Sequence, residues 1–239
     1  MKTTTLFLAL AMLAVTSAQT LPVYPYPFES EADRKPTLQT GGNCLIRAGR
    51  VVTVTGDTLK DHDILVQNGK IARIGKNLPA PAGTRVIDAR DKVVMPGIVD
   101  AHIHRGADAT NEGTDAITAE VRILDVLDPD KLNVWQALAS GETTGLILHG
   151  SANPIGGQSL VVKLKYKRPA HELPIPDAPR MIKFALGENV TRASSTTSTR
   201  FPNSRMGVEA VYRRAFVQAR AYNKAWDDYN ASPGTKLPP

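Results

Sequence analysis

A single cysteine, Cys44, occurs in 239 residues, so no disulfide within the chain can hold the fold, and stability rests on packing or on a bound metal. Aromatic residues make up only 5 % of the chain. The formal charge of +6 is spread along it, and its densest basic run is Lys163, Lys165, Lys167 and Arg168. On a strand the three lysines share one solvated face, and a basic patch interleaved with aromatics, the mark of nucleic-acid binding, is missing. No Gly-x-Gly-x-x-Gly or Gly-Lys-Ser/Thr pattern is present, which removes the usual phosphate-binding loops. Beyond residue 15 no apolar run is long enough to cross a bilayer. No histidine follows His171.

What is present begins with Lys2, an apolar stretch over 6–15 and the small residues Thr16-Ser17-Ala18, the pattern of a secretory signal, with an uncleaved anchor as the alternative. Export to a periplasm or the exterior follows, with a mature chain from about Gln19. Pro22, Pro25, Pro27 and Pro36 make 19–43 an extended, poorly packed leader. Short strands are expected over 44–48 and 50–55, divided by a glycine turn, and over 63–67 and 70–74, joined by the hairpin pair Asn68-Gly69. A further strand covers 85–88. Helices are expected over 119–126, capped by Thr118, over 132–140, and over 206–229, the last amphipathic and packed on a sheet. Strands are expected over 142–149, 159–164 and 181–186, and the Ser-, Thr- and Arg-rich stretch 191–205 is expected to be a flexible loop.

The chemistry concentrates at 93–106. Val93, Val94 and Met95 are stopped by Pro96-Gly97, and a restarted strand delivers Asp100, His102 and His104 in strict alternation. Side chains two apart on a strand share a face about 7 Å apart, so two imidazoles at a strand end can grip one divalent ion. After His104 comes a polar loop in which Asn111 and Glu112 are placed to line a pocket. The stretch 150–158 offers Ser151, Asn153 and Gln158 as hydrogen-bonding groups for a substrate. His149 is a third site residue or, more simply, a strand-end histidine bonded to backbone; His62 and His171 are surface residues. Lys183 stands among apolar neighbours, where a lysine is costly unless neutralised or paired.

The segment Pro-Gly-Ile-Val-Asp-Ala-His-Ile-His resembles the first barrel strand of the amidohydrolase superfamily. The Asn-Gly hairpin, "Ile-Ala-Arg-Ile-Gly" and "Val-Ile-Asp-Ala" before it are similar to the N-terminal half of that family's β-sandwich. Gly-Ser-Ala-Asn-x-Ile-Gly-Gly-Gln resembles the imidazolonepropionase-like secreted members, with His149 standing where they carry proline. The resemblance implies an α/β fold: a small β-sandwich half over 44–95, then part of a (β/α)8 TIM-like barrel over 96–239. It implies a hydrolase of amide, cyclic-amide or peptide C–N bonds, with one or two divalent ions, zinc foremost. His102 and His104 are the implied ligands, with carbamylated Lys183 as a bridging carboxylate and Glu188 as its rival.

A whole barrel takes about 250 residues, and about 140 follow His102. The family's later histidines and its general-base aspartate have no counterpart here; Asp227 and Asp228 lie on the last helix. The expectation is therefore an inactive fragment of such a hydrolase, or a shortened, catalytically dead relative that binds a partner or a second copy of itself.

Overall fold

The structure is a computed structural model and describes residues 29–191, 199–232 and 238–239. The signal segment, the leader up to residue 28 and part of the expected loop over 191–205 lie outside the described residues. Residues up to 39 form one unit and 40–239 another. In the first, the leader is not uniformly extended. A 3₁₀ turn, Glu31–Arg34, is closed by Asp33, whose carboxylate accepts from both the amide and the hydroxyl of Ser30 at 2.7 Å.

The second unit opens with a four-stranded sheet: β1 (Cys44–Val52), β2 (Thr58–Gln67), β3 (Lys70–Gly75) and β4 (Arg85–Val94), in the order β3-β2-β1-β4. β1 pairs antiparallel with β2 and parallel with β4. Asn68 and Gly69 both take positive φ, 52° and 73°, which is what a tight two-residue turn between right-twisted strands demands. The glycine turn expected at Gly49 is absent, and β1 runs through it. A Cβ at Gly49 would stand 2.0 Å from the carbonyl oxygen of Arg90, and the β1–β4 register shifts at this point. Gly49 lets two backbones touch rather than letting one turn.

The second sheet holds β5 (Ile98–Ile103), β6 (Glu142–Ile147), β7 (Ile155–Lys163) and β8 (Met181–Phe184), in sequence order. β5 and β6 are parallel and joined through α1 (Leu132–Ala139), a βαβ unit. Val134 and Ala137 of α1 are buried against Ile103, Ile147 and Val162, and this is the main core. β7 is antiparallel to both β6 and β8, so β5, β6 and β8 run the same way with one reversed strand between them. This curled sheet is a partial TIM-like barrel.

The helix expected over 119–126 is a correction. Only a 3₁₀ turn, Ile123–Val126, forms, because the Thr118 hydroxyl is spent on the carbonyl of Glu112 and on Asn153 instead of capping. The last helix, α2 (Arg205–Ala231), is capped by Ser204, whose hydroxyl accepts from the Gly207 amide at 3.2 Å. Its buried residues are Gly207, Val208 and Val211. The expected packing thus holds over the first turns, where Tyr212 and Phe216 stack on Phe184 at 5.7 and 6.1 Å.

Candidate metal centre

The site is built on β5. Pro96 stops the preceding strand, and Gly97 leaves room that a Cβ would take from Thr143, 2.2 Å away. β5 can then lie against the start of β6, with the Ile98 amide donating to the Gly141 carbonyl at 2.8 Å. The Asp100 carboxylate accepts from the His102 amide at 2.9 Å and so fixes the backbone from which the imidazole hangs. His104 stands one residue beyond the strand end.

The two rings meet edge to face, centroids 5.1 Å apart and planes at 75°. Their Nε2 atoms are 3.3 Å apart. His104 Nδ1 lies 3.0 Å from the Leu148 carbonyl oxygen. A carbonyl only accepts, so Nδ1 carries the proton and the neutral ring keeps its Nε2 lone pair free, the arrangement a metal-binding histidine needs. Partial desolvation pushes the His102 pKa down, with the Lys183 cation and His104 adding to the shift and the Asp100 carboxylate opposing it. Lys183 is buried. It lies on β8, which runs in the same direction as β5 and β6.

The other expected site residues divide. Asn111 and Glu112 border a groove of about 340 Å³ together with His149. The Glu112 carboxylate is turned onto Thr114, accepting from its hydroxyl at 2.7 Å, and the Thr114 side chain and amide hold its pKa down. Asn153 is fully buried, its amide donating to the Asp115 carbonyl at 3.0 Å and the Thr118 hydroxyl at 2.8 Å. Gln158 is likewise occupied, donating to the Ala119 carbonyl and accepting from Arg180. Both side chains are bonded to neighbouring loops, Asn153 fully enclosed and Gln158 half-buried. Ser151 is half-buried, and Glu188 is exposed beyond β8, with its carbonyl closing a turn onto Thr191. His149 is bonded to backbone: Nδ1 to the Gly150 carbonyl at 2.8 Å, and Nε2 accepting from the Glu112 amide at 2.8 Å.

Sequence reasoning missed Arg200 and the carbonyl of Leu148. The latter carries no side-chain signal at all. Arg200 sits in a Ser/Thr/Arg-rich stretch with no periodic pattern to single it out.

Two imidazole nitrogens each about 2.0–2.1 Å from one tetrahedral ion stand about 3.3 Å apart. The Nε2 pair has that spacing. Among the described residues no group of three or more His, Cys, Asp or Glu is gathered to complete a shell. The residues therefore fit half of a tetrahedral site.

No family model matches the chain. It is 34% identical to the amidohydrolase tasK of Hapsidospora irregularis, over 85% of this chain and 24% of that protein. An adenine deaminase of Deinococcus radiodurans is 36% identical over 48% of the chain and 23% of its own length. A dihydroorotase of Geobacter sulfurreducens is 47% identical over 26% of the chain and 15% of its own length. In three dimensions the chain is similar to an amidohydrolase from Thermotoga maritima, at TM-score 0.71 and 32% identity, over 81% of this chain and 51% of that one. The chain thus spans about a quarter of the curated relative and half of the solved one.

Proposed function

Because this chain belongs to the amidohydrolase superfamily over the part it spans, we propose that the protein it represents is an exported, metal-dependent hydrolase of C–N bonds in amides, cyclic amides or peptides. The observation that carries this reading is the Nε2 pair of His102 and His104, 3.3 Å apart with the second ring pinned by Leu148. The names of the relatives, a deaminase and a dihydroorotase among them, support C–N chemistry as the class.

His102 and His104 would hold the ion, zinc foremost. When bound, a divalent ion supplies a water whose pKa is lowered toward neutrality and a Lewis acid for the substrate carbonyl. The chain's own residues prepare for it. Asp100 fixes the backbone of His102, and Leu148 fixes the tautomer of His104. The lowered pKa of His102 keeps its nitrogen unprotonated, and so able to ligate, at neutral pH. Lys183, buried on β8, would become the bridging carboxylate: once its ammonium gives up a proton, the amine adds to carbon dioxide, an N–C bond forms and a further proton leaves. The general base, expected to be an aspartate, has no candidate among the described residues of the site. A second reading, a non-catalytic relative completed by a partner, draws on apolar residues left open at the sheet edges, Val99 at 71 % and Leu186 at 75 % exposure.

The test uses the full-length protein carrying His102→Ala with His104→Ala. Loss of both bound metal and hydrolysis is expected. A double variant that retains both would contradict the assignment.

A further inference from the structure

Outside the histidine pair, one side chain gathers more of the candidate site than any ligand does. The Arg200 guanidinium donates from Nη1 to the carbonyls of Gly113 at 2.8 Å and Asp115 at 3.0 Å. From Nη2 it donates to Ala152 at 2.9 Å and Val190 at 3.1 Å. These four carbonyls belong to three separate segments. Gly113 and Asp115 follow β5, Ala152 follows β6, and Val190 follows β8. Because β5, β6 and β8 run the same way, all three segments leave the sheet at one end, the end that carries His102 and His104.

The clasped segments are the ones that orient the pair. The segment containing Ala152 begins at Leu148, whose carbonyl holds the His104 ring. It is stitched to the β5 loop by Gly150, whose amide donates to Thr110 at 2.6 Å, and by His149, which accepts from the Glu112 amide. Asp115 serves twice, since its carbonyl also accepts from Asn153. A planar guanidinium with its donors in a rigid fork is suited to hold several carbonyls at fixed angles; a lysine ammonium is a compact point charge on a flexible stem.

We propose that Arg200 is a positioning residue: by clasping the segments after β5, β6 and β8 it sets the Leu148 carbonyl against His104 and so fixes the nitrogen that His104 presents to a metal. This rests on reading His102 and His104 as ligands.

The test compares Arg200→Lys and Arg200→Gln with Val211→Ala, a core truncation on α2 at a residue with no polar side-chain group. Zinc affinity is measured by titration at a temperature where all are folded, and the His104 ring tautomer by ¹⁵N NMR without metal. The Arg200 variants are expected to lose about tenfold in zinc affinity, the low end of the cost of removing a direct outer-shell partner, because Arg200 acts one step further out, through the Leu148 segment. In them His104 should pass from the Nδ1–H form to a mixture. Val211→Ala should lower thermal stability and leave both readouts unchanged. The proposal is overturned if either folded Arg200 variant keeps the wild-type tautomer, or if Val211→Ala moves affinity and tautomer as much. Should the wild-type chain take up no zinc, the metal reading fails and the tautomer alone decides the clasp. Should neither Arg200 variant fold, slow exchange of the Gly150 and Glu112 amides in the wild type supports the clasp and rapid exchange overturns it.

Discussion

Single residues here carry two kinds of polar work, and substitution separates them. Asn153 lies in the loop read as substrate-facing, yet it is buried and spent on Asp115 and Thr118. Asn153→Ala should therefore cost about 1–3 kcal/mol of stability, as expected when buried partners are left unpaired, and leave zinc affinity unaltered; denaturant unfolding and metal titration check the two halves. Lys183→Met removes a cation that helps hold the His102 pKa down. NMR titration should show that pKa rising part of the way to the ordinary value, because desolvation, the larger cause, remains. Glu142 is buried with Oε1 unpartnered among the described residues, and burial pushes its pKa up against the opposing charge of Arg105. A carboxyl with a raised folded-state pKa binds more protons folded than unfolded, so its contribution to stability is full below the unfolded value and is lost as pH rises toward the raised one. Glu142→Gln should flatten the fall in stability above about pH 4.5, seen in urea unfolding at several pH values.

At the scale of elements, features set by neighbouring residues were legible and features set by distant contacts were not. The Asn68-Gly69 hairpin needs two positive φ angles, and that pair supplies them cheaply. β5 announces itself by its Pro-Gly start and alternation, and α1 by its spacing. The expected helix after Thr118 failed because its would-be cap found partners 6 and 35 residues away. Arg200 was invisible for the same reason, its bonded carbonyls lying 10 to 87 residues away in sequence. Gly49 looked like a turn because a glycine between apolar runs usually is one; here it marks backbone contact with Arg90. Gly49→Ala should destabilise by about 1–3 kcal/mol, the usual cost of overpacking, and the loss should appear as a lower denaturation midpoint.

Across the 40–239 unit, the apolar surface is not all enclosed. The first sheet shows an apolar groove of about 390 Å³ bordered by Ile46, Val66, Ile71 and Val94. Beyond its first two turns α2 exposes Phe216, Val217 and Tyr222. Among the described residues no helix is long and apolar enough to cross a membrane. The chain alone should associate as its concentration rises, which sedimentation velocity would register as a shift to larger species. The partial barrel was implied by the family resemblance, and the shared face of His102 and His104 was legible in the alternation of one strand. The clasp around them was not, because it joins the ends of three strands.

The central claim is that His102 and His104 form half of a metal shell. Titration of zinc into the metal-free chain tests it most directly, alongside His102→Ala, His104→Ala and the double variant. Weak, saturable uptake of one ion by the chain is expected, with loss of about tenfold or more in each single variant and no uptake by the double variant. Equal uptake by the chain and the double variant would contradict it.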